Sequence, residues 1–425
     1  MTDAAKESAM SNPPTVQPFI PANDDFMTRE ELARLTPEEL VRRTTALKPL
    51  LAAHAAECEA KRHPIESVWN AIRKTGCFYH FIPKKYGGLE FDADSFIDAM
   101  LPLSEGCPST GWVAAFCVEH NWMLSQFPEQ FQDEIFGTRE GNRVPFVIAP
   151  GVTAPPGKAV RVDGGYRISG RWKWGTGVMH SDWVLVACAI VDGPANVVLF
   201  CALPTREVTV LDTWHIDGME GTGSHDLLIE DVFIPEHRTM NMADMRDGQA
   251  NGARLYDNPL YRQPMIPFLG VTAAISGVAA ARAAVAAFRE QLSSRVIHGT
   301  ATTQSERPAS QMRLGNAAVM AHTAELLLRD AVNTNIRLAT PEKRADFEQR
   351  SRMRLEIAQA MELCRRAIMM VAEASGASSH LRSNPMQRYL RDVNVMSNHI
   401  VYDLDGAAEL HGRALIGLPP NALTY

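Results

Sequence analysis

The sequence predicts an α+β fold in which helices, a block of strands and further helices follow one another along the chain. Three observations support this prediction: a helical pattern over residues 28 to about 136, short β-rich runs between about 143 and 240, and four long helical blocks from about residue 270 onward. In a protein with a parallel doubly wound sheet, strands and helices would alternate along the chain instead. We therefore predict segregated α and β parts and no Rossmann domain.

The first part, residues 26–142, is predicted to be an N-terminal helical domain that follows a flexible tail at residues 1–25. Proline is favoured in the first turn of a helix, where its missing N–H would have no partner in any case. Two runs show this signal: Pro37-Glu38-Glu39-Leu40 and Pro64-Ile65-Glu66. We therefore expect one helix to begin at each of these runs.

The middle part, residues 143–245, is predicted to consist of short strands separated by turns. Turn residues occur at Asp163-Gly164-Gly165 and Asp192-Gly193-Pro194. The β-rich runs between such turns are typical of strands in a sheet. They are Phe146-Val147-Ile148, Asp182-Trp183-Val184-Leu185-Val186-Ala187, Val197-Val198-Leu199-Phe200 and Leu227-Leu228-Ile229.

The last part, residues 246–425, returns to helical periodicity after a proline-containing connector at about 258–267. Alanine is abundant over residues 279–287, and its small side chain favours close helix packing. The pattern predicts four helices at roughly 270–297, 309–339, 342–375 and 385–412.

Composition excludes several classes of function. The 42 Lys and Arg against 49 Asp and Glu give a net charge of −7, so no nucleic-acid partner is predicted. The first 25 residues contain no apolar run with a basic flank, and no run of 18 or more apolar residues occurs, which argues against secretion and membrane spanning. The seven cysteines contain no C-x-x-C pair, so a reducing, cytoplasmic compartment is the simpler prediction.

Neither a nicotinamide site nor a metal site is predicted. The cluster Gly221-Thr222-Gly223-Ser224 precedes an extended run and lacks the third glycine of a dinucleotide-binding fingerprint. Four histidines outside the runs discussed below have no matching partner at helical spacing, so we expect no metal ligands among them. They are His298, His322, His380 and His411.

Several short strings occur in one order along most of the chain. They are Pro83-Lys84-Lys85-Tyr86-Gly87-Gly88-Leu89, Ser109-Thr110-Gly111-Trp112-Val113, Asp163-Gly164-Gly165-Tyr166-Arg167-Ile168-Ser169-Gly170-Arg171-Trp172, Gly221-Thr222-Gly223-Ser224-His225-Asp226, Asp231-Val232-Phe233-Ile234-Pro235, Asn384-Pro385-Met386-Gln387-Arg388, and Arg391-Asp392 ahead of His399. This series resembles the acyl-CoA dehydrogenase superfamily. It is most similar to the oxygenase components of two-component flavin-dependent monooxygenases, which hydroxylate phenols and related rings.

The resemblance implies an N-terminal helical domain, a middle β-barrel domain and a C-terminal four-helix bundle, assembled as a homotetramer with flavin between barrel and bundles. It also implies diffusible reduced FMN or FAD, supplied by a separate NAD(P)H:flavin reductase. Reaction with O2 would give a C4a-hydroperoxyflavin that hydroxylates a small phenolic, indolic or polycyclic aromatic substrate. Such chemistry requires exclusion of water and a hydrogen bond at flavin N5.

The run Trp172-Lys173-Trp174-Gly175-Thr176-Gly177 ends a predicted strand with a hydroxyl residue between glycines. Such a hydroxyl often bonds only to the backbone of its own turn. The resemblance implies instead that Thr176 lies near flavin N5, where relatives often carry serine, and that Trp174 also contacts the flavin.

Two histidines are candidate catalytic residues. His120 lies in an apolar helical run, where an isolated histidine is usually a packed core residue. The resemblance implies that His120, Trp112 and His399 face the substrate, and that His399 stands where many acyl-CoA dehydrogenases carry a glutamate base. An imidazole can deprotonate a phenol or bind it, which favours oxygenation over abstraction of a proton beside a thioester.

The flavin phosphate needs cationic or backbone N–H partners. The resemblance points to Arg262 and Arg307, although arginine is more commonly just a solvated surface residue. The resemblance places Ser375 and Gly376 where dehydrogenase relatives have a glycine-rich turn that meets the flavin tail from a neighbouring subunit. The double glycine of that turn is not kept here.

Two other functions remain open at this level. The first is an acyl-CoA dehydrogenase with an atypical catalytic base. The second is a protein with this fold that has lost turnover and serves in assembly.

Overall fold

The computed structural model describes residues 13–19, 26–191, 193–194, 197–342 and 344–422. The order of its elements is helices, one sheet, then helices, which confirms the predicted α+β class. Most of the predicted tail, residues 1–25, lies outside the described residues.

The described residues of the N-terminal part form six α-helices, and three of them begin with a side-chain cap. Thr36 accepts a hydrogen bond from the Glu39 N–H at the start of one helix, and Asp92 accepts one from Ser95 at the start of another. The helices begin at or close after Pro37 and Pro64, as predicted. They are α1 (Arg29–Leu32), α2 (Pro37–Lys61), α3 (Glu66–Arg73), α4 (Ala93–Gly106), α5 (Pro108–Leu124) and α6 (Glu129–Phe136).

The run Phe146-Val147-Ile148 was expected to form a strand, and this prediction is wrong. The run lies outside the sheet because the side chain of Asn121 in α5 takes the place of a neighbouring strand. Its Oδ1 accepts from the Val147 N–H at 3.1 Å, and its Nδ2 donates to the Val147 carbonyl at 2.9 Å. The apolar side chains pack against helices, with the Phe146 ring 5.1 Å from that of Phe78.

In the described chain, seven strands form one mixed sheet in the order β5-β6-β2-β1-β3-β4-β7. Only β1 and β3 run parallel among the adjacent pairs. One core cluster on this sheet surrounds Trp172, whose Nε1 donates to the Ala187 carbonyl at 2.8 Å. The strands are β1 (Gly151–Val162), β2 (Gly165–Trp172), β3 (Trp183–Ile190), β4 (Val198–Pro204), β5 (Thr209–Leu211), β6 (Asp226–Pro235) and β7 (Thr239–Asn241).

Residues 13–19, the described stretch of the predicted tail, run along the edge strand β5. The Val16 N–H donates to the Val210 carbonyl at 3.0 Å, and the Phe19 N–H donates to the Met179 carbonyl at 2.7 Å. The bond to Val210 gives a partner to a carbonyl that an uncovered sheet edge would leave to water.

The C-terminal part contains three long helices and two shorter ones after two short connecting helices. The fourth predicted block, 385–412, is wrong as one helix, because it splits at residues 397–403. There His399 is extended, with φ −64° and ψ 137°, and Asp403 caps the next helix. The helices are α7 (Met242–Arg246), α8 (Asn251–Leu255), α9 (Met265–Ser294), α10 (Pro308–Leu338), α11 (Phe347–Ser375), α12 (Pro385–Met396) and α13 (Leu404–Leu415).

Helix α9 is the central helix of this part. It is the one helix in the described chain that is long and apolar enough to cross a membrane. However, 78% of its most apolar 18-residue segment is buried inside the protein. Burial against neighbouring helices accounts for its hydropathy. Such burial is typical of a core helix.

Candidate active site

Helix α5 carries aromatic side chains on successive turns, and the first of them, Trp112, meets the break between α12 and α13. Trp112, Phe116 and His120 are four residues apart, so they share one helix face over about 12 Å. The ring centroids are 5.0 Å apart for Trp112 and Phe116, and 5.6 Å apart for Phe116 and His120. The His399 ring meets Trp112 edge to face at 6.0 Å. We call these four residues the aromatic cluster; it contains three of the predicted site residues.

His120 presents a hydrogen-bond acceptor to its surroundings. Its Nδ1 lies 2.5 Å from the Ala149 carbonyl oxygen. A carbonyl can only accept, so Nδ1 carries the proton and Nε2 keeps its lone pair. Burial lowers the pKa of His120 to about 4, so the ring is neutral at pH 7. Gly151 leaves space beside Nε2, where an added Cβ would lie 3.0 Å from that atom.

His399 has the opposite polarity. Its Nδ1 accepts a hydrogen bond from the Val401 N–H at 3.4 Å, which leaves the proton on Nε2. The residue is exposed in the single chain, and desolvation by the protein around the ring lowers the pKa of His399 below its ordinary value. His399 is therefore a neutral hydrogen-bond donor at pH 7.

The loop after β2 carries Trp174 and Thr176. Trp174 is 65% exposed and has φ +67°, a left-handed conformation that is costly for a bulky residue and is often found at functional sites. Thr176 is partly exposed, and its Oγ1 lies 2.9 Å from the Ser224 Oγ. The loop packs closely on α5: a Cβ added to Gly177 would lie only 2.8 Å from the Cys117 Sγ. The predicted flavin loop and the aromatic cluster thus contact the same helix.

The remaining predicted cofactor residues lie at two distant places. Arg262 precedes α9 and contacts Asp257 at 3.1 Å, on the rim of a cavity of about 280 Å³ that also borders Arg254 and Arg344. Arg307 precedes α10, beyond the other end of α9. Helix α9 has 30 residues, which corresponds to a length of about 45 Å. Arg262 and Arg307 of one chain therefore do not meet at one flavin phosphate.

Ser375 and Gly376 lie near Arg307, at the end of α11. The Ser375 hydroxyl is buried and donates to the Val371 carbonyl at 2.7 Å, so it is already engaged within its own helix. The Ser375 carbonyl accepts from Arg295 at 2.6 Å. Gly376 has φ +71°, and a Cβ there would lie 2.5 Å from the Arg295 guanidinium. The groups available at this turn for binding a ligand are therefore backbone groups and the adjacent Arg295.

Asp392 links α12 to the glycine-containing loop before β6. Its side chain is 2% exposed, and its Oδ1 accepts from the Met219 N–H at 2.6 Å. Burial raises the pKa of Asp392 to about 6; the Met219 bond and the nearby Arg391 and Arg388 oppose this rise, and Glu59 adds to it. In the sequence, Asp392 is recognisable only as part of the run Arg391-Asp392. Its bond to Met219 is visible only in the structure.

Four further residues of the site were missed. Phe116 and Gly151 border His120, Tyr402 lies 5.9 Å from the His399 ring, and Ser224 holds Thr176. Helical spacing from Trp112 could have found Phe116, whereas the others belong to separate elements. Among the described residues, no group of three or more His, Cys, Asp or Glu side chains could hold a metal ion.

A family model described as "Acyl-CoA dehydrogenase, C-terminal domain" matches residues 271–404. A pigment production hydroxylase from a Rhodococcus species is 37% identical over 388 residues, which cover 91% of this chain and 98% of that protein. The oxygenase component of an FADH2-dependent resorcinol hydroxylase from a Rhizobium species is 32% identical over 393 residues, covering 90% and 95% of the two chains.

Solved structures show the same fold over nearly the whole chain. The 3-HSA hydroxylase from Rhodococcus sp. RHA1 superposes with a TM-score of 0.85 at 29% identity, covering 91% of this chain and 99% of that one. XiaF from a Streptomyces species, solved in complex with FADH2 and glycerol, gives a TM-score of 0.85 at 33% identity, with coverages of 93% and 99%.

The buried Asp392 predicts a pH dependence of stability. Because its pKa rises from 3.8 to about 6 on folding, the unfolded chain loses this proton first as the pH rises. Protonated Asp392 therefore stabilises the folded protein. This stabilisation is full below pH 4 and is lost as the pH rises through 6. Asp392→Asn keeps an oxygen for the Met219 N–H but does not titrate. We expect the fall in unfolding free energy between pH 5 and 7 to shrink by about 1 kcal/mol.

Urea titrations at both pH values measure this difference. Asp405→Asn, at an exposed position of α13, is the matched control and should change the pH dependence little. Equal pH dependence in wild type and Asp392→Asn would show that Asp392 is ionised without cost in the folded protein.

Proposed function

This chain belongs to the family of oxygenase components of flavin-dependent monooxygenases, and from that premise we propose that it hydroxylates a small phenolic, indolic or polycyclic aromatic substrate. The proposed co-substrates are O2 and reduced FMN or FAD. The observation that carries the proposal is the pair of neutral imidazoles of opposite polarity in the aromatic cluster.

The two imidazoles suit a substrate O–H or N–H group. The His120 Nε2 accepts a proton or a hydrogen bond, while the His399 Nε2–H donates one to a substrate oxygen. Removing the proton of a phenol makes the ring carbons more electron-rich and therefore more reactive toward an electrophilic oxygen. Trp112 and Phe116 supply an apolar surface against which an aromatic ring can pack. We therefore assign His120 and His399 as catalytic and Trp112 as substrate-binding.

The loop after β2 fits a flavin ring. An exposed indole at Trp174 beside a partly exposed hydroxyl at Thr176 offers one stacking surface and one hydrogen-bond group at its edge. Bound reduced flavin would supply the activated oxygen, as a C4a-hydroperoxide. The role of Thr176 is to hold flavin N5, and that of the apolar cluster is to exclude water from the reacting atoms.

We further propose that the flavin tail lies between copies of the chain. Arg262 lies before the start of α9, whereas Arg307, Ser375 and Gly376 lie beyond its end, about 45 Å away, so both places can serve one flavin only if they come from two copies of the chain. Helix α10 exposes apolar side chains seven residues apart, which suits helix packing between subunits: Met312 63%, Val319 63% and Leu326 52%. A homotetramer is the proposed assembly; a monomeric mass in light scattering would refute it.

The proposed partner is an NAD(P)H:flavin reductase that releases reduced flavin into solution. A cytoplasmic location accords with this supply and with seven free, buried cysteines in the described chain. Cell fractionation tests the location. Loss of hydroxylation when a dialysis membrane that passes flavin separates the two proteins would argue against free diffusion.

Rapid mixing tests the proposed function directly. The protein is incubated anaerobically with photoreduced FMN or FAD and mixed with air-saturated buffer, with phenol, resorcinol and indole as probe substrates. We expect a long-lived flavin–oxygen adduct by absorbance, and a hydroxylated product of one probe by mass spectrometry. No adduct, together with reduction of bound FAD by an acyl-CoA, would support a dehydrogenase instead.

The histidine variants test the catalytic assignment. We expect His120→Asn and His399→Asn to form the flavin–oxygen adduct normally, because His120 contacts Phe116 and Ala149 and His399 contacts Trp112 and Tyr402, all outside the loop after β2. Hydroxylation should slow by about 100-fold or more, the usual contribution of a positioned general base, while H2O2 release rises. His54→Asn on the surface of α2 is the control. Coupled turnover in both cluster variants would refute the assignment.

Thr176→Val tests the flavin contact. Valine preserves the shape of threonine but removes the hydroxyl, and one hydrogen bond is worth about 0.5 to 1.5 kcal/mol. We therefore expect the adduct to decay about 2- to 12-fold faster, with more H2O2 per flavin consumed. Stopped-flow absorbance measures the decay. An unchanged adduct lifetime would mean that Thr176 has only a structural role in its turn.

A further inference from the structure

Thr176 is the outer end of a chain of hydroxyl groups. Its Oγ1 lies 2.9 Å from the Ser224 Oγ, and that atom lies 2.9 Å from the Thr222 Oγ1. The Thr222 Oγ1 donates to the Met219 carbonyl at 3.0 Å. Ser224 and Thr222 are buried, with 3% and 1% of their surface exposed, so water does not compete for these bonds.

The carbonyl at the inner end fixes the direction of every proton in this chain. A carbonyl only accepts, and a hydroxyl has one proton to donate. The Thr222 proton is used on Met219, so Ser224 must donate to Thr222. The Ser224 proton is then used as well, so Thr176 must donate to Ser224. The Thr176 oxygen is left with lone pairs on its exposed side and no proton to offer.

The inner end cannot easily move. Met219 has φ +55°, its N–H donates to the buried Asp392, and its carbonyl also accepts from the Trp214 Nε1 at 3.1 Å. Two backbone N–H groups of the loop around Thr176 are already engaged within the protein. The Thr176 N–H donates to the Trp174 carbonyl, and the Gly175 N–H donates to the His225 carbonyl, both at 2.9 Å.

We propose that Ser224 is a positioning residue that makes Thr176 a hydrogen-bond acceptor and thereby lets the site select reduced over oxidised flavin. This inference rests on the proposed function. Reduced flavin carries a hydrogen on N5 and can donate to Thr176, whereas N5 of oxidised flavin has a lone pair that faces the lone pairs of Thr176. An enzyme that takes its cofactor from solution gains from this selection, because spent flavin is not retained.

The test is equilibrium binding, which does not depend on turnover. The dissociation constants for FMN and for photoreduced FMN are measured without oxygen for the full-length wild type and for Ser224→Ala. Without Ser224, the Thr176 hydroxyl is free to rotate and donate to oxidised flavin. We expect the ratio of the oxidised to the reduced constant to fall by about 3- to 10-fold, the effect of one hydrogen bond.

Two further variants guard against a general loss of structure. Thr222→Val breaks the chain one step further from the flavin and should lower the ratio in the same direction, whereas Ser224→Thr keeps the hydroxyl and should restore it. Ser351→Ala removes a buried serine hydroxyl in α11, bonded to Glu348 and His411, and should leave the ratio unchanged.

The outcomes separate the inference from the function on which it rests. If Ser224→Ala and Thr222→Val keep the wild-type ratio while Thr176→Val weakens binding of reduced FMN, the inference is overturned and the flavin site stands. If wild-type protein binds neither form of FMN and neither form of FAD, the proposed function fails and the inference fails with it.

Discussion

The burial of α5 on every side is the constraint on which the rest of the structure depends. Phe116 is the one residue of this helix that is not buried, so each polar side chain on it needs a partner inside the protein. Asn121 binds Val147, His120 binds Ala149 and Trp122 donates to the Leu260 carbonyl. These three bonds attach α5 to the approach to the sheet and to the connector before α9.

The burial of α5 also affects the ionisable side chains Glu119 and His120. Glu119 is fully buried, and burial raises the pKa of its carboxyl well above the usual range. Burial acts in the opposite direction on His120, which loses its charge because a cation is poorly solvated there. The interior around α5 therefore disfavours charge on both groups, and such an environment suits an acceptor and a donor that act on a neutral aromatic substrate.

The break between α12 and α13 and the loop before β6 bring distant parts of the chain to this helix. Asp392 holds Met219 from α12, seven residues before His399 approaches Trp112. The same Met219 ends the hydroxyl chain that reaches Thr176. A single buried carboxyl thus connects the helical part, the sheet and the hydroxyl that we propose contacts the flavin. Mutations at Asp392 should therefore affect both stability and the geometry of the loop.

The sequence alone determined the order of helices and strands, the starts of α2 and α3, and the family resemblance, because these depend on local periodicity, proline positions and short strings. It could not determine that Phe146-Val147-Ile148 stays outside the sheet, since that follows from Asn121 taking the place of a strand. It predicted one helix over 385–412, whereas the break that exposes His399 depends on side chains capping backbone groups. Nor could the sequence determine which atoms of His120, His399 and Thr176 donate and which accept hydrogen bonds. The position of each proton depends on the atom that lies opposite, and only the folded chain brings those atoms together.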